Sequence, residues 1–240
     1  MPVRERRAAI LSGLLAIAAL AAAPSQAQPV LKIGAIPDQN PEKLNRLYGV
    51  LAEELGLKLK VPVRYVPVSN YAAAVSAFRT GSLDLVWFGG LTGVQARLQT
   101  PGTRVLAQRD IDAKFTSVFI AHGASGLKPF TDARQLRQLR GKRFTFGSES
   151  STSGRLMPQY FMGRNGVKTT DLAGGRPGFS GSHDATLALV QSGAYEAGSL
   201  NEQVWRSNLK AGKVNTEKVK VIWRTPPYAN YHWVARPGLD

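Results

Sequence analysis

Short apolar runs alternate with segments of helical periodicity along the first part of the chain. Residues 30–36 and 61–66 are strand-like runs, and a turn cluster rich in Pro, Asp and Asn follows the first of them at 37–41. From 44 to 55 apolar residues recur every three or four positions, which predicts a helix that Gly56 ends. Strand, helix and strand at this spacing indicate a parallel βαβ unit.

The next segments extend this unit and lead to a pair of glycines. Residues 69–71 are predicted to open a second helix that Gly81 ends, and residues 83–88 to form a third strand that runs into Gly89 and Gly90. The carboxyl ends of parallel strands are where open α/β sheets bind ligands. A plain strand-to-helix turn is an equally good interpretation of such a pair taken alone.

The same pattern then repeats, which predicts an α/β protein of two lobes with a ligand cleft between them. Lobe 1 is assigned residues 28–112 and 229–240, and lobe 2 residues 113–228. The further predicted strands cover residues 105–107, 117–121, 143–146, 194–200 and 219–223. The further predicted helices cover residues 130–139, the segment around 157–162 and a segment that Ser182, His183 and Asp184 open.

One loop has the composition of an anion site. Within residues 144–158, a predicted strand is followed by Ser151, Thr152, Ser153 and Gly154 and then by the start of a helix. Three hydroxyls in one turn, a glycine that lets a ligand approach the backbone, and the free N–H groups of a helix start all favour a bound anion. An ordinary Ser/Thr helix cap explains the same residues.

The first 27 residues are typical of a secretory signal peptide. Three arginines precede an alanine-rich apolar run at 8–23, and small residues stand at Ser25 and Ala27 before Gln28. The chain has no cysteine, so neither a disulfide nor lipid attachment after the leader is expected. With 43% apolar residues, the stability of the exported part must come from its hydrophobic cores.

The charge balance is strongly basic. The formal net charge is +15, and it is +13 once the leader's three Arg and one Glu are removed. Nucleic acid is one candidate partner, but no basic motif with interleaved aromatic residues is present. A cationic surface without a specific partner and a field that attracts small anions are the other two interpretations.

Several runs together resemble the phosphonate- and phosphite-type substrate-binding proteins of ABC importers, and most closely the branch labelled selenate-binding. The runs are SNYAAAV (69–75), LVWFGG (85–90), FGSESSTSG (146–154), SGSHD (180–184) and TPPY (225–228). The resemblance covers nearly the whole chain after the leader. It implies a type II periplasmic binding fold whose lobes close over a small oxyanion (phosphonate, phosphite, selenate or similar) and deliver it to an ABC permease in the inner membrane. A periplasmic monomer with no cofactor and no nucleic-acid partner is expected.

The resemblance also implies roles for particular residues. Ser151, Thr152 and Ser153 match the anion-binding triplet of the family. Tyr71 matches a tyrosine that reaches the ligand from lobe 1, and His183 matches a histidine that donates to an anion oxygen.

Glycines and one amide complete the set of candidate ligand-binding residues, and they include departures from the family pattern. Gly89 and Gly90 would offer backbone N–H groups, but Gly90 stands where relatives often have Pro and Gly93 where they often have Tyr. Asn201 stands where an acidic residue often contacts the amine of an aminophosphonate. The loss of that acid favours a simple inorganic or small oxyanion.

Two other classes of site are weaker interpretations. His183, Asp184 and nearby serines could suggest a hydrolase, but the sequence has no G-x-S-x-G elbow for a nucleophile. Three scattered His and no Cys provide no metal-ligand spacing, so no metal is expected. His122 and His232 are assigned to the surface or the hinge.

The end of the chain carries a last expectation. Residues 231–236 should return to lobe 1 as a strand, and residues 237–240 look like the lead-in to a further helix. The resemblance implies more helical residues packed on lobe 1, so apolar surface should be left uncovered in that lobe.

Overall fold

The computed structural model describes residues 29–239. The predicted leader, residues 1–27, lies outside this range. In the described part of the chain, no helix is both long enough and apolar enough to span a bilayer.

The described residues form two five-stranded sheets. The strands are β1 (Leu31–Ala35), β2 (Val63–Tyr65), β3 (Leu85–Phe88), β4 (Arg104–Ala107), β5 (Ser117–His122), β6 (Phe144–Phe146), β7 (Gly178–Phe179), β8 (Ala197–Asn201), β9 (Val219–Arg224) and β10 (His232–Ala235). One sheet has the order β2-β1-β3-β10-β4 and the other β7-β6-β8-β5-β9.

The first sheet confirms the predicted βαβ unit and the return of the chain. Strand β1 is parallel to both β2 and β3, as a crossover connection requires. Strand β10 is antiparallel to β3 and β4 and lies between them. The C-terminal strand predicted over 231–236 therefore does belong to the first sheet, even though its neighbours β3 and β4 lie more than 100 residues earlier in the chain.

Seven α-helices are seen in the described residues. They are α1 (Pro41–Leu59), α2 (Tyr71–Thr80), α3 (Gly90–Gln99), α4 (Asp110–Ala113), α5 (Met157–Arg164), α6 (His183–Gln191) and α7 (Glu202–Lys210). The predicted caps of α2 hold, because the Asn70 side chain accepts from Ala73 N and Gly81 ends the helix at φ 81°. Helix α6 likewise begins where predicted, with the Ser182 hydroxyl accepting from Ala185 N.

The predicted end of α1 at Gly56 is wrong. The helix continues to Leu59, and Lys60 is the left-handed residue that ends it, at φ 55°. Glycine inside a helix costs only about 1 kcal/mol relative to alanine. The Asn40 cap and the buried face of Leu44, Tyr48 and Ala52 are enough to carry the helix past that position.

Other elements differ from the pattern-based prediction. The short helix expected at 130–139 is a 3₁₀ helix at Ala133–Leu139. Helices α3, α4 and α7 were not predicted. Helices α3 and α7 begin within two residues of the end of a strand, and α4 is only four residues long. Strand β5 runs antiparallel to β8 and β9, so the second sheet is mixed and only its β6, β7 and β8 pairings are parallel.

Two neighbouring segments join the sheets. Phe115 and Tyr228 exchange backbone hydrogen bonds of 2.8 and 2.9 Å, and Asn230 N donates to Asp112 O at 2.9 Å. These pairings lie at the two predicted lobe boundaries, between residues 112 and 113 and between residues 228 and 229. The lobe boundaries themselves, and a hinge motion at this point, stay predictions.

Apolar exposure is unevenly distributed between the two halves. Ten of the thirteen large hydrophobic side chains that are exposed in the described residues lie between Val30 and Ile111. Leu98 on α3 is 78% exposed, and all four residues of β4 are exposed. The exposed large hydrophobic side chains are therefore concentrated in the first half of the described residues.

Candidate functional site

The serine and threonine triplet lies in a tight turn between β6 and α5. Thr152–Leu156 form a π-helical turn, and the Ser151 hydroxyl caps it by accepting from Gly154 N at 2.9 Å. All three side chains are buried. A Cβ on Gly154 would lie 3.0 Å from Ser151 Oγ and 3.1 Å from His183 Cε1, so this position has little room for a side chain. Ser151 is therefore a helix cap, as the simpler interpretation held, and the cap brings Gly154 close to His183.

Thr152 connects the triplet to the glycine pair across the cleft. Its Oγ1 accepts from Leu91 N at 2.8 Å. Gly90 N donates to Asn230 Oδ1 at 3.0 Å, so an anion could receive that N–H only by displacing the amide oxygen. Because Thr152 Oγ1 accepts a hydrogen bond from Leu91 N, its own hydroxyl hydrogen is available to donate.

His183 is fully buried at the start of α6, and its backbone N donates to Asp38 O at 2.9 Å. Its Nδ1 accepts from Asn201 N at 3.3 Å, which places the ring hydrogen on Nε2. Nε2 faces Ser153 Oγ at 3.5 Å and the hydroxyl of Tyr231 at 3.3 Å. Burial lowers the pKa of His183 from 6.5 to about 4, so at neutral pH the ring is a neutral donor.

Tyr231 connects residues from both sides of the cleft. Its hydroxyl donates to Asp38 Oδ2 at 2.9 Å and accepts from Asn201 Nδ2 at 3.2 Å. Its ring stacks on Trp87 with a centroid distance of 5.7 Å and an interplanar angle of 6°. Burial raises the pKa of this phenol well above 10, so Tyr231 remains protonated.

Asn201 has two structural commitments. Its Oδ1 accepts from Gln203 N and Val204 N and so caps α7. Only its Nδ2 group faces the cluster, and that group donates to Tyr231. The position where relatives often carry an acid is therefore a neutral donor whose orientation is fixed by the helix start.

Tyr71 is the first residue of α2 and is 2% exposed. Its hydroxyl makes no hydrogen bond of standard geometry within residues 29–239, although the Ser151 side chain lies near enough to oppose the rise in its pKa. Burial, with the charge of Asp38 as the second cause, raises its pKa well above 10. A buried donor without a partner is costly, so the position favours a ligand acceptor at this point.

The structure thus brings together most of the predicted site residues and adds three that the sequence analysis missed. His183 lies within hydrogen-bond distance of Ser153 and accepts from Asn201 N. Asn201 donates to Tyr231, and Thr152 accepts from Leu91 N. The missed residues are Asp38, Asn230 and Tyr231. Asp38 stands in the turn cluster that follows β1. Because β1 and β3 are parallel and end at the same edge of the sheet, this turn lies beside the glycine pair, and that position could have pointed to Asp38.

The cluster is made of neutral donors around one acidic group. Among residues 29–239, no Lys or Arg side chain hydrogen bonds to Ser151, Thr152, Ser153, His183 or Tyr231. The same part of the chain contains no group of His, Cys, Asp and Glu that could hold a metal ion. Hydroxyls, an imidazole N–H and an amide at this density are suited to the oxygens of a small anion.

The two sheets joined by two crossings, with a polar cluster buried between them, define the class of type II periplasmic binding proteins. A solved binding-protein component of a phosphonate ABC transporter from Pseudomonas aeruginosa has the same fold, with a TM-score of 0.76 at 22% identity over 89% of this chain and 70% of that one. Residues 33–240 match the family described as ABC transporter, phosphonate, periplasmic substrate-binding protein. The chain belongs to this family.

One relative is similar over most of the chain. The probable ABC transporter phosphite binding protein PhnD1 of Prochlorococcus marinus (strain MIT 9301) is 54% identical over 211 residues, which are 88% of this chain and 71% of that protein. The structure of PhnD1 in complex with methylphosphonate has a TM-score of 0.86 over 87% of this chain and 77% of that one. These similarities are to phosphite and phosphonate binders, and the narrower resemblance to a selenate-binding branch stays a prediction.

Proposed function

We propose that this protein captures a small phosphorus oxyanion, such as methylphosphonate or phosphite, in the cleft between its lobes and hands it to an ABC permease. The observation that carries the proposal is the buried cluster in which Ser153, His183 and Tyr231 meet. PhnD1, whose structure is 55% identical to this chain, is seen bound to methylphosphonate. Export to the periplasm through the predicted leader fits the same role.

In this proposal the anion is held by Tyr71, Ser151, Thr152, Ser153, His183, Asn201 and Tyr231. Backbone groups contribute at Gly89 and, where the anion displaces Asn230 Oδ1, at Gly90. Each charge-assisted hydrogen bond of this kind contributes about 1.5 to 3 kcal/mol to binding. The site carries no acidic residue at Asn201, so the amine of an aminophosphonate has no partner there. We infer a preference for simple phosphonates over 2-aminoethylphosphonate.

Titration calorimetry on the purified protein tests the proposal. Methylphosphonate and phosphite should bind one per chain and more tightly than phosphate, sulfate, selenate or 2-aminoethylphosphonate. Ser153→Ala should weaken the better ligand roughly 10- to 150-fold, the equivalent of one charge-assisted bond. Ser192→Ala removes a hydroxyl that is exposed and lies outside the cluster, and it should bind like the parent. Failure of both phosphorus oxyanions to bind would overturn the proposal.

The salt dependence separates this function from a cationic nucleic-acid-binding one. A protein that contacts 6 to 10 phosphates loses roughly 10³ to 10⁵ in affinity between 50 and 200 mM salt, because counterions are released. A single anion held by neutral donors in a buried cleft should change by much less. Incubation with phosphonate esters should also leave them intact, because the proposed role is binding and release.

A further inference from the structure

Asp38 is a carboxyl placed beside an anion site. It is 4% exposed, at the carboxyl end of β1, and it belongs to none of the ion pairs seen in residues 29–239. A buried carboxylate without a cation is unfavourable, and a second negative charge brought next to it is more so. Since the proposed ligand is an anion, the carboxyl needs an explanation.

The hydrogen bonds of Tyr231 show how Asp38 acts on the site. The phenol has one hydrogen, and it is donated to Asp38 Oδ2 at 2.9 Å. While Asp38 is ionised, Tyr231 can offer only oxygen lone pairs to anything else. A ligand oxygen must displace Asn201 Nδ2 or His183 Nε2 from one of these lone pairs. A ligand oxygen that reaches Tyr231 must then bring a hydrogen of its own. If Asp38 is protonated instead, Tyr231 is free to donate to the ligand.

In both cases, whether the ligand or Asp38 carries the hydrogen, the complex holds one proton more than an ionised Asp38 together with a fully deprotonated anion. We propose that Asp38, acting through Tyr231, makes the site bind its anion together with one proton, so that the protein selects oxyanions that can carry an acidic hydrogen over permanently deprotonated dianions such as sulfate. This inference rests on the proposed function and narrows its ligand class. Asp38 is a positioning residue here, since Tyr231 lies between it and the ligand.

The surroundings of Asp38 favour the proton. Burial raises the pKa of Asp38 from 3.8 to about 6, and the hydrogen bond from Tyr231 only partly opposes this. Asp184 on α6 adds a small further increase through its negative charge. Besides burial, the pKa of Asp38 is shifted by hydrogen bonds from Tyr231 and Gln39 and by the negative charge of Asp184. The nearby phenols of Tyr48, Tyr65 and Tyr71 and the imidazole of His183 are neutral. The guanidinium of Arg109 lies 5.9 Å from the centre of the Tyr231 ring and is paired with Asp112.

The two ligand classes should differ in how their affinity depends on pH. Sulfate has no proton to bring, so Asp38 must take one up, and the affinity for sulfate should fall by about tenfold per pH unit above a pH of about 6. Methylphosphonate can bring the proton itself. Its affinity should be level between a pH of about 6, where Asp38 loses its proton, and the pH at which the ligand loses its second acidic hydrogen, and it should fall above that point.

Calorimetry at pH 8.0 in buffers with different heats of ionisation measures the proton directly. When methylphosphonate binds at pH 8.0, the buffer should release close to one proton, which comes to reside on a ligand oxygen or on Asp38. Asp38→Asn should take up none. It should also gain affinity for sulfate relative to methylphosphonate, by up to about 100-fold at pH 8.0. The reason is that pH 8.0 is about two units above the pKa of Asp38, so protonating Asp38 there lowers the affinity by about that factor, and the asparagine needs no proton.

Two further variants keep the test independent of folding effects. Tyr231→Phe removes the link between Asp38 and the ligand, so the proton uptake should be lost although the carboxyl remains. Asp132→Asn makes the same chemical change at a half-buried residue in the second half of the chain, outside the cluster, and it should behave like the parent.

Each outcome decides the matter. Methylphosphonate or phosphite binding to the parent at pH 8.0 without proton uptake would overturn the role of Asp38 and leave the proposed function standing. Tighter binding of 2-aminoethylphosphonate than of methylphosphonate would also overturn it, since Asp38 would then be pairing with an ammonium group. A parent that binds none of the oxyanions overturns both proposals.

Discussion

Replacing Thr152 by Val tests whether the triplet binds the anion and closes the cleft. Valine has nearly the shape of threonine but no hydroxyl. The substitution removes the acceptor of the 2.8 Å hydrogen bond from Leu91 N, which links the triplet turn to the start of α3. It also removes the hydrogen that Thr152 can donate to a ligand oxygen.

The expected loss follows from these two bonds. A hydrogen bond to a charged ligand oxygen is worth about 1.5 to 3 kcal/mol, and the neutral bond to Leu91 about 0.5 to 1.5 kcal/mol. Since the two share one oxygen, they are not fully additive, and we expect a total of about 2 to 4 kcal/mol. At about 1.4 kcal/mol for each factor of ten, the Kd should rise roughly 30- to 700-fold.

Titration calorimetry with methylphosphonate at pH 7 measures this change. Thr152→Ser keeps the hydroxyl and should recover most of the affinity. Thr100→Val makes the same replacement at a buried threonine beyond the far end of α3, where Oγ1 has no partner, and should bind normally. If Thr152→Val binds within about threefold of the parent, well short of one hydrogen bond, the hydroxyl does not contact the ligand and the placement of the site is wrong.

Three further predictions concern protonation, packing and local stability. His183 should remain a neutral Nε2–H imidazole from pH 5.5 to 8.5 in nitrogen-15 NMR spectra, because its pKa is lowered to about 4. Since the unfolded chain binds a proton at this residue below about pH 6.5, the contribution of neutral His183 to the free energy of unfolding is complete above pH 6.5 and is lost as the pH falls through about 4. A titration midpoint above 6 would contradict this. Gly93→Ala should lower the unfolding free energy by about 1 to 3 kcal/mol in thermal denaturation, because a Cβ would overlap the ring of His232. Gly49→Ala, on an open helix face, should instead be neutral or stabilising, and equal effects of the two would refute the packing argument. Amide hydrogens of β4, an exposed edge strand, should exchange faster than those of the buried strand β5, and equal protection would show that exposure does not limit stability there.

Local signals in the sequence were sufficient for much of the fold. Apolar periodicity placed four of the α-helices and nine of the ten strands of residues 29–239, all but the two-residue β7, since burial of one face requires it. The residues at the ends of α2 and α6 marked their starts because their side chains bond to backbone groups only a few positions away. The triplet turn was found for the same reason, since its three hydroxyls and its glycine lie within four consecutive residues.

Tertiary structure decided which side chains meet around the proposed anion. Asp38 and Tyr231 are 193 residues apart in sequence, and their hydrogen bond exists because β10 returns to the first sheet beside β3. The turn cluster after β1 draws attention to Asp38, but no local pattern marks Tyr231 or pairs the two residues. The same holds for the ring proton of His183, which is fixed by the backbone N–H of Asn201 on a neighbouring strand. Periodicity reports which face of an element is buried, but the partner across the cleft depends on how distant strands and helices pack together, and that information is absent from any short stretch of the sequence.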